Sequence, residues 1–343
     1  MQNVQLIAGG LVAPWAMDLA PDGRLFVTER VGRVRVVQLG AGGGLRPDAW
    51  ATLGVSQRAG SEKGLLGIAL DPDFAHTGFV YLYYSYASAN GTRNKVVRMR
   101  DANGKGGEET VLLDGIPGSE AHDGGRLKFG PDGKLYAATG DAENGANAQD
   151  QRSLGGKILR INRDGSIPAD NPFAGSPIWS LGHRNVQGLA WQPDSGALFA
   201  TEHGPSNLFP DCCHDEVNLI VAGGNYGWPA VRGIAGDVRY RDPVVESGNV
   251  ETWAPTGEAF ATQPGPLRGS LLFAALRGQH LHRVVFGLDG RILFQEKLLT
   301  NEYGRLRDVF ELASGEFLVL TSNRDGRGQP RPDDDRLLLV TLG

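Results

Sequence analysis

Short runs that alternate apolar and polar residues, each broken by a glycine turn, recur along the whole chain. "PDGRLFVTER" from Pro21, "HTGFVYLYYSY" from His76, "PDGKLYAATGD" from Pro131, "PDSGALFATEHG" from Pro193, "LRGSLLFAALRG" from Leu267 and "ASGEFLVLTSN" from Ala313 share this form. Their turn glycines are Gly23, Gly78, Gly133, Gly196, Gly269 and Gly315, spaced 46 to 73 residues apart. Each copy is preceded by an apolar run such as "PWAMDLA" or "LLGIALD", and followed by a β-branched or leucine-rich one such as "GRVRVVQL" or "GKILRIN". A period-2 pattern with turn signals marks strands, and sixfold repetition marks blades. No stretch carries a competing 3.6-residue period. The expected fold class is all-β: a six-bladed β-propeller of four-stranded antiparallel blades, with no linker, and so one domain over residues 1–343.

The repeat also says where chemistry gathers. The strands before and after each turn are antiparallel, so the start of the first and the end of the second lie together. If these are the inner strands, those ends ring one mouth of the central channel. That mouth then collects Trp15, Glu62 with Lys63, His122 with Asp123, His183-Arg184-Asn185, Arg305 and Arg307. From the second strands come Glu29-Arg30, Asp141, Glu202-His203, Arg277 and Asn323-Arg324. Four guanidiniums (Arg184, Arg277, Arg305, Arg307) around one concavity would repel each other, which points to an anionic ligand with several carboxylates or phosphates. Against this, each arginine taken singly has an acid to pair with, as Arg307 has Asp308. His122 and Asp141 are nearly equidistant from the turn at Asp132, so a hairpin brings them side by side as base and orienter, or as a structural hydrogen bond. In "EHGP" the carbonyls of Gly204 and Pro205 suit a hard cation, and Glu216 with the Tyr226 carbonyl suits another; an ordinary turn explains all four as well.

Composition narrows the partners. The chain has 343 residues and a net charge of −5, which argues against nucleic acid or an acidic membrane surface. No run reaches the ~20 apolar residues of a membrane span. "MQNVQLIAGG" has neither the basic nor the apolar region of a signal peptide. The two cysteines, Cys212 and Cys213, are adjacent, so they form a vicinal disulfide or remain two thiols; side by side they chelate one zinc ion poorly.

Eight stretches then carry a family resemblance: "EKGLLGIALDPDF", "HDGGRLKFGPDGKLYAATGD", "AQDQRSLGGKILRIN", "IWSLGHRNVQGLAW", "TEHGP", "DEVNLI", "GGNYGWP" and "RLRDVF". In this order, over nearly the whole chain, they resemble the soluble PQQ-dependent aldose sugar dehydrogenases of the glucose/sorbosone dehydrogenase family. The resemblance implies PQQ and calcium as cofactors, an aldose substrate and an external electron acceptor. It implies a periplasmic or secreted setting; a monomer is favoured. Residue by residue, it implies that His122 is the general base and Asp141 its orienter. Arg184, Asn185, Arg305 and Arg307 would hold the PQQ carboxylates and quinone edge, Gly204 and Pro205 a calcium ion touching PQQ, and Glu216 and Tyr226 a second calcium.

Two positions depart from the glucose-specific branch. Glu62 stands where that branch has a PQQ-contacting glutamine, and would repel an anionic cofactor unless Lys63 or calcium offsets it. Arg277 replaces a lysine, keeping charge but changing geometry. The stretch "SNLFPDCCH" after "HGP" is longer than usual, and the long substrate-shaping insertions of that branch are missing, so an open pocket and broad aldose specificity are expected. A lactonase-type calcium hydrolase would need acids and amides converging on a central ion, unlike this arginine-rich rim; a non-catalytic binding propeller is the third reading. The loop "NRDGRGQPRP" and the acids of "PDDD" read as solvated, Trp253 as either a stacking or a structural ring, and Asn90-Gly91-Thr92 as a glycosylation pattern only.

Overall fold

The structure, a computed structural model, describes residues 2–206, 212–287 and 291–343. It has six antiparallel sheets of four strands each, two of them with one further short strand. The six-bladed propeller expected from the repeat is therefore observed. The innermost strands are Pro14–Leu19, Leu65–Leu70, Gly124–Phe129, Ala190–Trp191, Pro255–Phe260 and Leu306–Glu311, and they pack on one another around the axis. Each turns at its predicted glycine into a second strand: Arg24–Glu29, Phe79–Ser88, Leu135–Thr139, Leu198–Glu202, Leu271–Ala275 and Phe317–Thr321. The only helices among the described residues are the four-residue turns Phe74–Thr77 and Ala146–Gln149.

One strand has no counterpart in the sequence pattern. Gln2–Ala8 pairs antiparallel with Leu337–Leu342, so the chain's first strand completes the blade made by its last three. Ring closure thus rests on a ladder between the two ends of the sequence, with Gln2–Ala8 as the outer strand of the sixth blade.

Apolar side chains fill the spaces between blades. Phe26, for example, meets Trp50 and Phe74 edge-on at 5.6 and 5.8 Å, the arrangement the ring quadrupole favours. The axis is different. Arg126 from blade 3 reaches Asp308 of blade 6 at 3.1 Å and donates through Nε to the Gln187 carbonyl at 2.8 Å. Asp308 also accepts from the Met17 amide at 3.0 Å. This buried polar plug ties four blades together below the site.

Glu258 belongs to the same plug, but both its carboxyl oxygens are buried with no hydrogen-bond partner. Burial pushes its pKa up to about 8, with Arg126 and Lys128 opposing the rise. The folded protein therefore binds a proton here that the unfolded chain releases above its ordinary value near 4.5. Stability from this group is present at low pH and is lost as pH rises through about 8. Glu258→Gln, which mimics the protonated acid, should unfold at a higher temperature than the parent by a margin that widens from pH 5 to pH 9. Parallel melting curves across that range would contradict the assignment.

Candidate functional site

Above the plug, the predicted mouth opens into a cavity of about 690 Å³. His122, Glu62, Arg184, Pro205, Arg277, Arg305 and Arg307 all line it. The reason is local. Gly124 pairs with Thr139 at the end of the blade 3 hairpin, which leaves His122 and Asp141 just beyond the ladder on the same side. Gly124 has φ +62°, and a Cβ there would lie 2.5 Å from the Thr139 carbonyl carbon. At Gly140 a Cβ would lie 1.8 Å from the His122 carbonyl oxygen. Only glycines permit this close crossing.

His122 itself has φ +59°, an uncommon conformation for a residue with a side chain. Its backbone is pinned from both sides: the amide donates to Glu62 Oε2 at 3.0 Å and the carbonyl accepts from the Ala142 amide at 3.1 Å. The ring is pinned too. Nδ1 lies 2.9 Å from Asp141 Oδ1, the Glu143 amide donates to that oxygen at 2.9 Å, and the Trp228 indole donates to Asp141 Oδ2 at 2.7 Å. Asp141 is an acceptor here, so Nδ1 carries the proton. Nε2 is then the basic nitrogen, and no described residue hydrogen-bonds it. The His122 side chain is 19% exposed while Asp141 is 2% exposed, so the pair presents one atom to the cavity and buries its orienter.

The arginines are held in place without being used up. Arg305 contacts Asp325 through Nε and Nη2, both at 2.8 Å. Arg307 donates to Gln187 Oε1 at 2.8 Å and lies 3.9 Å from the same Asp325 oxygen. Its guanidinium carbon stands 5.7 Å from the Trp15 ring centroid. Burial pulls the Arg307 pKa down to about 9; Asp325 opposes the fall, and Arg305 and Arg30 add to it. Arg184 donates to the carbonyls of His203 and Gly204 at 3.0 and 2.8 Å and lies over Trp228. Arg307 does not use Asp308, which is taken by Arg126.

Three nitrogens at the cavity, Arg30 Nε, Arg307 Nε and His203 Nε2, are buried with no hydrogen-bond partner. Burial drives His203 down to about 3, with Glu62 opposing and Arg307 and Arg184 adding to the effect. It is therefore neutral at physiological pH. Orphaned buried polar groups of this kind cost about 1–3 kcal/mol each unless a ligand takes them up.

Glu62 keeps its charge, but its partner differs from expectation. Lys63 turns to Glu120 at 2.5 Å. Arg327 instead meets Glu62 Oε1 at 2.6 Å. Burial works to raise the Glu62 pKa, but Arg327, His203 and His122 outweigh it and hold the pKa at about 2. Arg327 and Asp325 come from "NRDGRGQPRP", so that loop, mostly exposed as expected, also supplies part of the cavity wall. Two acids of "PDDD", Asp334 and Asp335, are also buried, while Asp333 is exposed. Asp335 is buried and accepts from the Ala13 and Asn323 amides.

Five of the twelve site residues expected from the sequence lie outside the cavity wall: Asp141, buried behind His122, and four others. Asn185 stands behind it, accepting from the Gly124 amide at 3.1 Å and facing Glu62 at 3.4 Å. Gly204 sits under Arg184. Glu216 and Tyr226 belong to blade 4 and do not line the cavity. Glu216 accepts from the Gly233 amide and Asn218, and burial beside Glu202 pushes its pKa up to about 8. The Tyr226 hydroxyl donates to the Leu219 carbonyl at 2.5 Å and its ring stacks on His183 at 4.6 Å. Among the described residues no group of three or more His, Cys, Asp or Glu side chains is arranged around a metal position. Trp253 is buried against Phe273 and His282, a structural ring. Cys212 and Cys213 are joined as a vicinal disulfide.

Comparison with known proteins agrees with this geometry. The family model for Glucose / Sorbosone dehydrogenase matches residues 11–338. A Thermus thermophilus protein described provisionally as an oxidoreductase (glucose dehydrogenase) superposes with a TM-score of 0.89 at 46% identity, over 99% of this chain and 100% of that one. The PQQ-bound form of the aldose sugar dehydrogenase from Streptomyces coelicolor superposes at 0.86 with 38% identity, over 99% and 98%. Aldose sugar dehydrogenase YliI of Escherichia coli is 31% identical over 94% of this chain and 91% of its own. With its fold and nearly its full length matched, this chain belongs to the glucose/sorbosone dehydrogenase family.

Proposed function

We propose that this protein oxidises aldose sugars at the anomeric carbon to lactones, with PQQ as bound cofactor and electrons leaving to an external acceptor. The observation that carries the reading is one cavity that holds both a buried-orienter histidine base and a wall of arginines with orphaned nitrogens. The PQQ-bound Streptomyces relative supports the choice of anion. Arg305, Arg307 and Arg30 would bind the carboxylates, and Arg184 and His203 the quinone side. PQQ, when bound, supplies a two-electron acceptor for the hydride leaving the sugar carbon.

His122 Nε2 takes the proton of the anomeric hydroxyl as the carbon–oxygen double bond of the lactone forms. Asp141, held by Trp228 and the Glu143 amide, fixes the tautomer and stabilises the imidazolium. Arg327 neutralises Glu62, so the wall beside His122 does not repel an anion.

Calcium is proposed at the main-chain oxygens of Gly204 and Pro205. They are hard donors of the right kind, but calcium takes about six to eight oxygens. Arg184 already uses the Gly204 carbonyl. The protein alone therefore makes a poor site, and the ion should bind with the cofactor rather than before it. Glu216 with the Tyr226 carbonyl is the proposed second position, where the ion would replace a proton. No helix among the described residues is long and apolar enough to cross a membrane. A vicinal disulfide suits the periplasmic or secreted setting we propose.

Reconstitution tests the whole reading. Apo-protein given calcium and one equivalent of PQQ should reduce a dye in the presence of glucose, and lose activity on chelation. Calcium alone should give little heat in a calorimetric titration and much more once PQQ is present. If PQQ does not bind in the presence of calcium, the cavity serves another anion.

A further inference from the structure

A second groove, of about 380 Å³, opens beside the cavity and shares Arg277, Arg305 and Arg327 with it. Its far wall comes from the loop that carries Gln329 and Arg331, and its floor includes Tyr303. The chain as a whole is acidic, yet among the described residues four arginines line this groove and no carboxylate does. The acids that partner two of them face the redox cavity instead: Asp325 with Arg305, and Glu62 with Arg327. Arg331 is exposed, and its guanidinium makes no hydrogen bond or ion pair among the described residues. The remaining lining is amide and phenol: Gln279, Asn301, Asn323, Gln329 and Tyr303. Such groups match ring hydroxyls and one flat sugar face. The volume takes about one further sugar ring.

We propose that this groove seats an acidic sugar unit joined to the aldose being oxidised, so that the preferred substrate is a uronic-acid-bearing disaccharide with its free reducing end at His122. The proposal rests on the dehydrogenase reading for its chemistry, and on the groove alone for its charge preference. Arg331 supplies the unspent cation, and Tyr303 and the amides the hydroxyl contacts. The oxidised carbon and the departing hydride and proton are the same as for a simple aldose. Only binding of the second unit is new, so the effect belongs in KM and not in kcat.

Steady-state kinetics of the reconstituted enzyme with glucose, cellobiose and β-(1→4)-glucuronosyl-glucose test it. KM for the acidic disaccharide should lie about tenfold below that for cellobiose at low salt, the worth of one charge-assisted contact. The gap should narrow in high salt as screening grows. Arg331→Gln should remove most of the gap and Arg331→Glu should reverse it, with glucose kinetics unchanged in both. Equal KM values for the two disaccharides, or a gap that survives Arg331→Gln, would overturn the proposal. So would an Arg331→Gln effect confined to KM for ferricyanide, which would make the groove an acceptor site. Calorimetric titration with the same two disaccharides separates the two readings. Arg331-dependent preference for the acid in a protein that oxidises no glucose would support the groove and remove the dehydrogenase reading. Glucose oxidation without that preference would do the reverse.

Discussion

His122→Asn is expected to lower kcat with glucose by about a hundredfold to ten-thousandfold, the usual worth of a positioned general base, while PQQ titrates as in the parent. The expectation follows from how the residue is built in. Its backbone is fixed by Glu62 and Ala142, and its Nδ1 by an aspartate that two further donors hold. Asparagine can keep the link to Asp141 but offers no basic nitrogen to the cavity. Asp141→Asn separates orientation from basicity, because an amide can donate to Nδ1 and so stabilise the tautomer whose proton is on Nε2. Its loss should also fall on kcat, with KM nearly unchanged. Stopped-flow reduction of the bound cofactor by glucose reads the chemical step directly. Near-parental rates in His122→Asn would remove the histidine from the base role.

The hairpin geometry behind that prediction was legible because two local rules agree. The turn chemistry of "PDG" fixed the register, and the alternation on either side fixed the strands, so residues at matched distances had to meet. The same rules placed all six inner pairs and gathered the arginines on one rim. What escaped them depends on contacts between distant segments. Glu62 and Arg327 are 265 positions apart, and Trp228 reaches Asp141 across 87. Neither has a periodic signal. The loop carrying Asp325 and Arg327 is mostly exposed, as its polar, glycine-rich composition suggests, yet it turns Asp325 and Arg327 onto the cavity. Lys63 shows the converse: adjacency in sequence suggested that it offsets Glu62, while the backbone aims this side chain at Glu120. His203 was already placed on the rim by its position at a strand end. Its orphaned nitrogen, the feature that makes it interesting, exists only once the blades surround it. Closure by Gln2–Ala8 escaped for the same reason, since a lone first strand has no hairpin partner in the sequence.

Arg305→Ala combined with Arg307→Ala should weaken PQQ binding by at least about a hundredfold, since two charge-assisted contacts at roughly 1.5–3 kcal/mol each are removed. The structure complicates the reading of that variant. Asp325 is 2% exposed and both arginines face it, so their loss leaves a buried carboxylate unpaired. That carboxylate would destabilise the fold and repel the cofactor on its own account. Asp325→Asn added to the double variant removes both side effects while leaving the clamp absent. If the arginines bind the anion, the triple variant should regain the parent's melting temperature yet still fail to bind PQQ in a fluorescence titration. Recovery of affinity along with stability would mean that the arginines serve mainly to neutralise Asp325, and that the anion is held elsewhere on the rim. The Arg307 geometry favours the first outcome. Its one full hydrogen bond goes to a neutral amide, its distance to Asp325 is long, and its Nε has no protein partner. A guanidinium kept only to balance an acid would lie against it, as Arg305 does. Arg307 is instead held near the acid by Gln187 and Trp15, with donors left over for a ligand.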